Sequence, residues 1–169
     1  QSPELLEAAA QQKKYNLTIS KTRGAIYDCN YTPMADTRQE TVYAVMPSTE
    51  NLLPVLEAVP VSRRTAVSEQ FRTGKPFLLR DAEGLDTPGV GEYSVPIRTD
   101  SPQLAPHIIG YLDDAGHGVT GIEKSYDEYL ASFEEETQAV YQLDGLGRGI
   151  SGLSPEIREA GPVKAGLVL

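Results

Sequence analysis

The chain has 169 residues and a formal net charge of −9, and 40% of its residues are hydrophobic. This length and apolar content fit one domain or two small lobes. The acidic balance argues against nucleic acid and against an electrostatic grip on anionic lipid, because both require clustered Lys and Arg. No apolar run approaches the roughly 20 residues that span a bilayer, and the single cysteine excludes an internal disulfide.

The first half of the chain predicts a mixture of short strands and short helices. Residues 2–14 contain good helix formers and predict a weakly amphipathic helix that needs a partner. Further on, β-rich or alternating segments predict strands, and segments behind a capping residue or with an early proline predict helices. The predicted strands are 15–20, 24–28, 41–46, 77–80 and 93–98, the predicted helices are 52–59 and 62–72, and 30–33 and 81–91 are a turn and a loop.

The most informative segment is 107–130, which predicts an apolar strand, a glycine-rich loop and the start of an amphipathic helix. That helix is predicted over 121–133, because apolar residues recur there at helical spacing. Thr120 and Glu123 have the spacing of a capping box, in which the hydroxyl and the carboxylate each accept a backbone N–H. The apolar stripe consists of Ile122, Tyr126, Tyr129, Leu130 and Phe133.

The last part of the chain predicts a strand over 137–143, a turn within 144–152 and a further strand over 163–169. Strands and helices mix without strict β-α-β alternation. The sequence therefore predicts an α+β fold of small mixed sheets with packed helices.

Residues that could support catalysis are few and isolated. His107 lies in an apolar run, where a core or interface role is expected, and His117 lies between two glycines. Together with Asp113 and Asp114, His117 is a candidate metal ligand, although a loop tip of small polar residues is the simpler interpretation. Cys29 has no base beside it in the sequence, and such a thiol is most often a small buried hydrophobe.

Two other patterns carry little chemical information. The acidic run 134–136 fits a solvated face, and the glycines of 145–149 lack the spacing and the following helix of a phosphate loop. We therefore expect no catalytic residue, no metal, no cofactor and no nucleic-acid partner for this chain.

One motif near the start of the chain resembles a motif of class B penicillin-binding proteins. The run Arg23-Gly-Ala-Ile-Tyr-Asp28, followed by Asn30 and Met34-Ala35, is similar to the family pattern Arg-Gly-x-Ile-x-Asp-Arg-Asn-Gly-x-x-Leu-Ala. Two departures stand out. Cys29 occupies the place of the family's second Arg, and Tyr31 occupies the place of its Gly, so we expect a wider turn here than Asn-Gly would form.

Two further motifs follow in the order that the same family has. Arg98 and the run Ala105-Pro-His-Ile-Ile-Gly-Tyr111 resemble the family's Arg and its Ala-x-His-x-x-Gly-Tyr element. The run Gly118-Val-Thr-Gly-Ile-Glu123, with the Tyr126-Asp127 and Leu130 that follow, resembles the family's Gly-x-x-Gly-x-Glu helix start. The order and the separations agree from residue 15 to residue 169, which makes the three motifs together far more specific than any one of them.

The resemblance implies an elongated, non-catalytic module that stands between a membrane helix and a transpeptidase domain. Residues 1–14 would be a membrane-proximal helix or linker, and 15–169 a dimerisation or pedestal domain in one or two lobes. The partners implied are the chain's own C-terminal transpeptidase domain and a glycan polymerase or other proteins of elongation, division or sporulation. The location implied is the extracytoplasmic face of the bacterial membrane, reached only through an N-terminal helix outside this sequence.

The same resemblance singles out a set of structural or interaction residues. They are Arg23, Gly24, Asp28, Arg98, Gly118, Gly121 and Glu123. We predict that the four charged members form one polar cluster, because buried charges need partners. The alternative is that Glu123 serves only the capping box and that the arginines are solvated.

The transpeptidase signatures Ser-x-x-Lys, Ser-x-Asn and Lys-Thr-Gly do not occur in this sequence. This chain is therefore expected not to bind penicillin covalently. A second interpretation stays open, in which the chain is a free-standing exported binding protein that shares only the scaffold.

Overall fold

The computed structural model describes residues 13–34, 36–99, 106–150, 153–159 and 166–169. Strands and short helices mix along the chain, which confirms the predicted α+β class. The strands are β1 (Lys13–Thr22), β2 (Ala25–Tyr27), β3 (Asp36–Val45), β4 (Phe77–Leu79), β5 (Val90–Thr99), β6 (Glu135–Leu143), β7 (Glu156–Arg158) and β8 (Gly166–Val168). The helices are α1 (Leu52–Ala58), α2 (Arg64–Thr73), α3 (Pro106–Ile109), α4 (Gly121–Ser125) and α5 (Asp127–Ala131), with a 3-10 turn at Val61–Arg63.

The chain divides into two compact units. The first contains the described residues up to 19 together with 41–94 and 138–158, and the second contains 20–40, 95–137 and 159–169. The strands form three small sheets with the orders β1-β6-β7, β2-β8 and β4-β3-β5.

The core of the first unit lies between sheet β4-β3-β5 and the helices α1 and α2. Strands β3 and β4 are antiparallel, with Tyr43 opposite Leu79, and Val55 of α1 and Val67 of α2 are buried against them. The buried amide of Asn51 fixes the start of α1, since its Nδ2 donates to the carbonyl oxygens of Met46 and Pro88 at 2.8 and 3.0 Å.

The second unit has a smaller core, built on two parallel strands. Strand β2 pairs with β8, and Ile26 lies opposite Leu167. Ile26, Ile109 and Leu130 are buried together, and Leu167 packs against them. Residues from four different segments of the sequence therefore share this core.

The segment 107–133 departs most from its prediction. The predicted apolar strand is the one-turn helix α3, and the predicted single helix is the pair α4 and α5, which meet at Tyr126. The backbone of Tyr126 is not helical, with φ −113° and ψ 23°. Tyr126 and Tyr129 are nearly half exposed, whereas Leu130 is fully buried, so the predicted apolar stripe does not form one continuous buried face.

The predicted helix over 2–14 lies almost wholly outside the described residues. Its last two positions, Lys13 and Lys14, belong to strand β1, so the strand begins two residues earlier than predicted. The predicted end strand over 163–169 corresponds to β8 within the described part of the chain.

Three loops share one hydrogen-bonded geometry, which the sequence did not reveal. We name them by their aspartate: the Asp28 loop (27–33), the Asp113 loop (112–118) and the Asp144 loop (143–149). In each, one carboxylate oxygen of the Asp accepts the backbone N–H groups two and four residues later, at 2.8 to 2.9 Å. The Asp N–H donates to the carbonyl four residues later, and a β-bridge closes each loop.

The position three residues after the Asp has positive φ in all three loops. Gly116 and Gly147 occupy it with φ of 85° and 79°, and Tyr31 occupies it with φ of 61°. The N–H of this residue donates to the Asp carbonyl in each loop, so each is a β-turn that ends in a left-handed residue, for which glycine is favoured. The expected wider turn at Tyr31 is confirmed: three residues, 29–31, separate Asp28 from its hydrogen-bonded partner Thr32, one more than in the two-residue hairpin that Asn-Gly favours.

Replacing Tyr31 by glycine should stabilise the protein. A left-handed backbone costs a non-glycine residue about 1–2 kcal/mol, and glycine's extra entropy in the unfolded chain offsets part of the gain, so Tyr31→Gly should raise the free energy of unfolding by about 0.5–1 kcal/mol. Urea denaturation measures this. Gly147→Ala is the matched control: a Cβ there meets no atom within 4 Å, so only the backbone changes, and the free energy should fall by about 1 kcal/mol. A fall in the free energy of unfolding for Tyr31→Gly as well as for Gly147→Ala would contradict the left-handed backbone assigned to Tyr31.

Candidate functional site

Four charged side chains from separate segments of the second unit meet in one place. Arg23 lies before β2, Arg98 near the end of β5, Glu123 in α4 and Asp127 at the start of α5. We call this set the Arg–Glu cluster. Its two positive and two negative charges balance formally.

Glu123 is the centre of the Arg–Glu cluster. Its side chain is only 2% exposed, and Arg98 Nη1 donates to its Oε1 at 2.6 Å. The Nε of Arg23, a side chain that is 8% exposed, lies 3.7 Å from Glu123 Oε2. These last two atoms are buried without a hydrogen bond in the described structure, so they interact through charge alone.

The two arginines also hold backbone carbonyls and a second carboxylate. Arg98 Nη2 donates to the Gly24 carbonyl at 2.7 Å. Arg23 Nη1 donates to Asp127 Oδ1 at 2.8 Å and to the Gly116 carbonyl at 2.7 Å. The cluster therefore ties β2, β5, the Asp113 loop and α5 together.

Burial and hydrogen bonding shift two pKa values in this cluster. Burial lowers the pKa of Arg98, and the neighbouring Glu123 partly opposes that shift. The N–H of Gly118, at 2.8 Å from Oδ1, lowers the pKa of Asp127, and the hydrogen bond from Arg23 lowers it further. An arginine stays protonated at any physiological pH, and the lowered pKa keeps Asp127 ionised. The pair of Arg23 and Asp127 is therefore charged on both sides at neutral pH.

The capping box predicted for α4 was wrong. Thr120 is the N-cap residue, but its side chain makes no capping hydrogen bond. The carboxylate of Glu123 is bound by Arg98 instead. A buried charge gains more from a cation than from a second backbone N–H, which explains why the tertiary contact replaces the local one.

Asp28 does not join the Arg–Glu cluster, although the sequence placed it there. Its carboxylate accepts the N–H groups of Asn30 and Thr32 within its own loop. Asp127 takes the fourth position, and the sequence analysis missed it. The signal available was the third motif, in which Tyr126-Asp127 and Leu130 follow Glu123.

The glycines among the predicted site residues allow close backbone approaches. A Cβ on Gly118 would lie 2.0 Å from the Glu123 carbonyl oxygen, and one on Gly121 would lie 2.4 Å from that of Ile108. Gly121 also has a φ of 61°. Gly24 is less restricted: its N–H donates to the Leu130 carbonyl at 2.9 Å, and a Cβ there would touch the Phe133 ring at 3.0 Å.

The other residues considered for chemistry lie apart from this cluster. Cys29 is exposed, which corrects the expectation of a buried thiol, and His107 is exposed rather than in the core. His117 Nδ1 lies 3.6 Å from Asp127 Oδ2, and one oxygen of Asp113 is engaged by its own loop. Within the described ranges, no group of three or more His, Cys, Asp or Glu residues could hold a metal ion.

The first unit contains an open groove of about 770 Å³ between the end of α1 and residues 80–84. Tyr43, Val59 and Ala82 line its buried side. The carboxylate of Asp81 on its rim pairs with Arg63 at 3.1 Å, and both side chains are about half exposed. The groove is thus shallow and solvent-facing.

No helix in the described part of the chain is long and apolar enough to cross a membrane.

Comparison with known proteins gives similarity at the level of solved structures. No protein-family model and no curated protein matches the sequence. The chain is similar to a chain of the complex between penicillin-binding protein 2 and MreC from Helicobacter pylori, with 18% identity and a TM-score of 0.46, over 89% of this chain and 34% of that one. It is also similar to penicillin-binding protein 2B from Streptococcus pneumoniae, with 13% identity and a TM-score of 0.49, over 89% of this chain and 40% of that one. This chain therefore spans well under half of either matched chain.

Removing one arginine should destabilise the second unit strongly. Arg23→Ala removes one of the two cations beside the buried Glu123 carboxylate, together with the donor to the Gly116 carbonyl and the cation paired with Asp127. Breaking a buried ion pair typically costs about 3–5 kcal/mol, so we expect a loss of roughly that size in the free energy of unfolding. Urea denaturation at pH 7 measures it. Arg72→Ala is the control: Arg72 pairs with Glu69 at 2.9 Å but is 76% exposed, and its loss should cost about 0–1 kcal/mol. Similar losses for both variants would show that the Arg–Glu cluster is not a buried constraint.

The ion pair of Asp127 should make stability depend on acidity. Because its pKa is lowered in the folded protein, its carboxylate stabilises the fold above about pH 4, and this contribution disappears as the pH falls through the folded value. Wild type should therefore be more stable than Asp127→Asn at pH 6, and the difference should shrink steadily toward pH 2.5. Thermal unfolding at a series of pH values tests this. Asp86→Asn, at an exposed site, serves as control, and a gap between wild type and Asp127→Asn that does not change with pH would refute the prediction.

Proposed function

We propose that this chain is the N-terminal, non-catalytic module of a membrane-anchored peptidoglycan transpeptidase. It sets the height and orientation of a catalytic domain over its polymer substrate, on the extracytoplasmic face of the membrane. It also presents a surface to proteins of cell-wall synthesis, such as a glycan polymerase or partners in elongation, division or sporulation.

The observation that carries this proposal is the convergence of the three sequence motifs. Arg23, Arg98 and Glu123 each come from a different motif, and 100 residues separate the first from the last. They meet in one buried cluster, with Arg98 2.6 Å from Glu123. Residues that resemble one family and also hold one another in place support a shared scaffold better than isolated motif matches do.

A positioning role also fits the chemistry of the cluster. Its arginines are bound to carboxylates and carbonyls, and one oxygen of Glu123 accepts a 2.6 Å hydrogen bond. Charged groups that are buried and paired with one another hold geometry well and are poor nucleophiles. The nucleophile motifs of a transpeptidase would lie in the domain that follows this chain.

The pairing of β8 with β2 gives a physical route from this module to such a domain. The N–H of Leu169 donates to the Tyr27 carbonyl at 2.9 Å, so the described chain is still hydrogen-bonded to the core at residue 169. A following domain would thus be connected to the Arg–Glu cluster through the hydrogen-bonded strands β8 and β2.

The reading frame beyond Leu169 provides the decisive test. We expect it to encode a domain with a Ser-x-x-Lys motif, and the longer protein to form a covalent adduct with a fluorescent penicillin on a denaturing gel. Residues 1–169 alone should stay unlabelled, and so should the longer protein after its motif serine is changed to alanine. A frame without that motif would instead favour the free-standing binding protein, and stoichiometric labelling of 1–169 would contradict the non-catalytic role.

A further inference from the structure

The Asp28 loop differs from its two counterparts in what it presents to the surroundings. At the left-handed position the other loops have Gly116 and Gly147, whereas this loop has Tyr31 with φ 61°. The Tyr31 side chain is 73% exposed. The backbone of Tyr31 is therefore strained, and burial of its side chain in this chain does not offset that strain. Strain of this kind is typical of functional sites, where the residue does its work in a contact outside its own fold.

The position of the loop in the second unit suggests where that contact lies. Strand β2 leads directly into the Asp28 loop, and β8 runs parallel to β2 with Tyr27 opposite Val168. Parallel strands leave a sheet at the same end. Residue 169 therefore lies beside the base of the loop, and its N–H donates to the Tyr27 carbonyl at 2.9 Å.

The chemistry of this surface favours a folded protein domain over a charged polymer. Cys29, Asn30 and Thr32 are exposed and neutral, and Asp28 uses its carboxylate inside the loop. Val168 and Leu169 add half-exposed aliphatic side chains. An exposed tyrosine with neutral and aliphatic neighbours is the composition of a protein–protein hot spot.

We infer that the Asp28 loop docks against the domain that follows residue 169, with Tyr31 as its main contact. This inference rests on the proposed function, which supplies that domain. The contact would fix the angle between module and domain at the point where the chain passes from one to the other. A separate protein bound at the same loop is the competing occupant, and the test below distinguishes it.

Cys29 provides a native reporter two residues before Tyr31. It is exposed in this chain, so a thiol reagent such as iodoacetamide should modify it quickly in residues 1–169. In the longer protein the following domain should cover it and slow modification by about tenfold or more, a protection that corresponds to about 1.4 kcal/mol of docking free energy. Peptide mass spectrometry after timed quenching reads the rate at Cys29 even if the longer protein contains other cysteines.

The Asp144 loop supplies a matched control. Gly145 occupies the position of Cys29 in that loop and is exposed. With Cys29→Ser as background, Gly145→Cys introduces a thiol in the same local geometry. Its rate of modification should be the same in 1–169 and in the longer protein, which separates specific docking from a general slowing by size.

Substitution of Tyr31 then tests the contact itself. In the longer protein Tyr31→Gly should remove most of the protection of Cys29, while Tyr31→Phe, which keeps the ring, should retain it. Loss of folding does not complicate the result, since Tyr31→Gly is expected to stabilise 1–169.

Each outcome has one meaning. A Cys29 that reacts equally fast in both proteins overturns the docking contact and leaves the proposed function intact, with a separate partner as the remaining occupant. Protection that survives Tyr31→Gly overturns the role of Tyr31. A reading frame without a following domain rejects both the proposed function and this inference.

Discussion

The structure of the second unit depends on the burial of one carboxylate. Glu123 is almost completely withdrawn from water, which is tolerable only if cations lie beside it. Arg98 and Arg23 meet this requirement, and each also binds a backbone carbonyl of another segment. A hydrophobic cluster of the same volume would hold these segments together with less dependence on their exact arrangement. The ion pairs instead hold β2, β5 and α4 in one relative position, because a displaced segment would leave a buried charge unpaired.

Close backbone packing completes this constraint. Gly118 and Gly121 bring the Asp113 loop, α3 and α4 closer than any side chain would allow. The N–H of Gly118 also donates to Asp127, so the same glycine serves both the packing and the electrostatics. Charge pairing and glycine contacts thus depend on each other: without the close approach the Arg–Glu cluster would admit water, and without the cluster the close approach would have little to stabilise it.

The sequence predicted well where local pattern decides, and poorly where distant residues decide. The second half of strand β3 follows from its β-rich sequence and helix α1 from its early proline, whereas β3 begins five residues before the predicted start. The Glu123 carboxylate could accept either a backbone N–H at the start of its helix or a hydrogen bond from a distant cation. The capping box was inferred because only the local partner is visible in the sequence, but the structure pairs Glu123 with Arg98, 25 residues away. Likewise Tyr126 fits a helical stripe, but the helix divides at this residue, next to Asp127, which binds Arg23 and Gly118. The three motifs singled out Arg23, Arg98 and Glu123. Asp127 follows Glu123 in the third motif, but nothing in the sequence paired it with Arg23, so the predicted cluster did not include it.

The three aspartate loops have a consequence for how this chain can change. In each, the turn is held by one side chain and by one position of positive φ. The one or two side chains at the tip between them contribute no hydrogen bond to the geometry: Cys29 and Asn30, Asp114 and Ala115, Gly145 and Leu146 have nothing in common chemically. Such tips can exchange residues freely while the backbone beneath them stays the same. The scaffold thereby offers three places where surface recognition can diverge between related proteins without any adjustment of the interior.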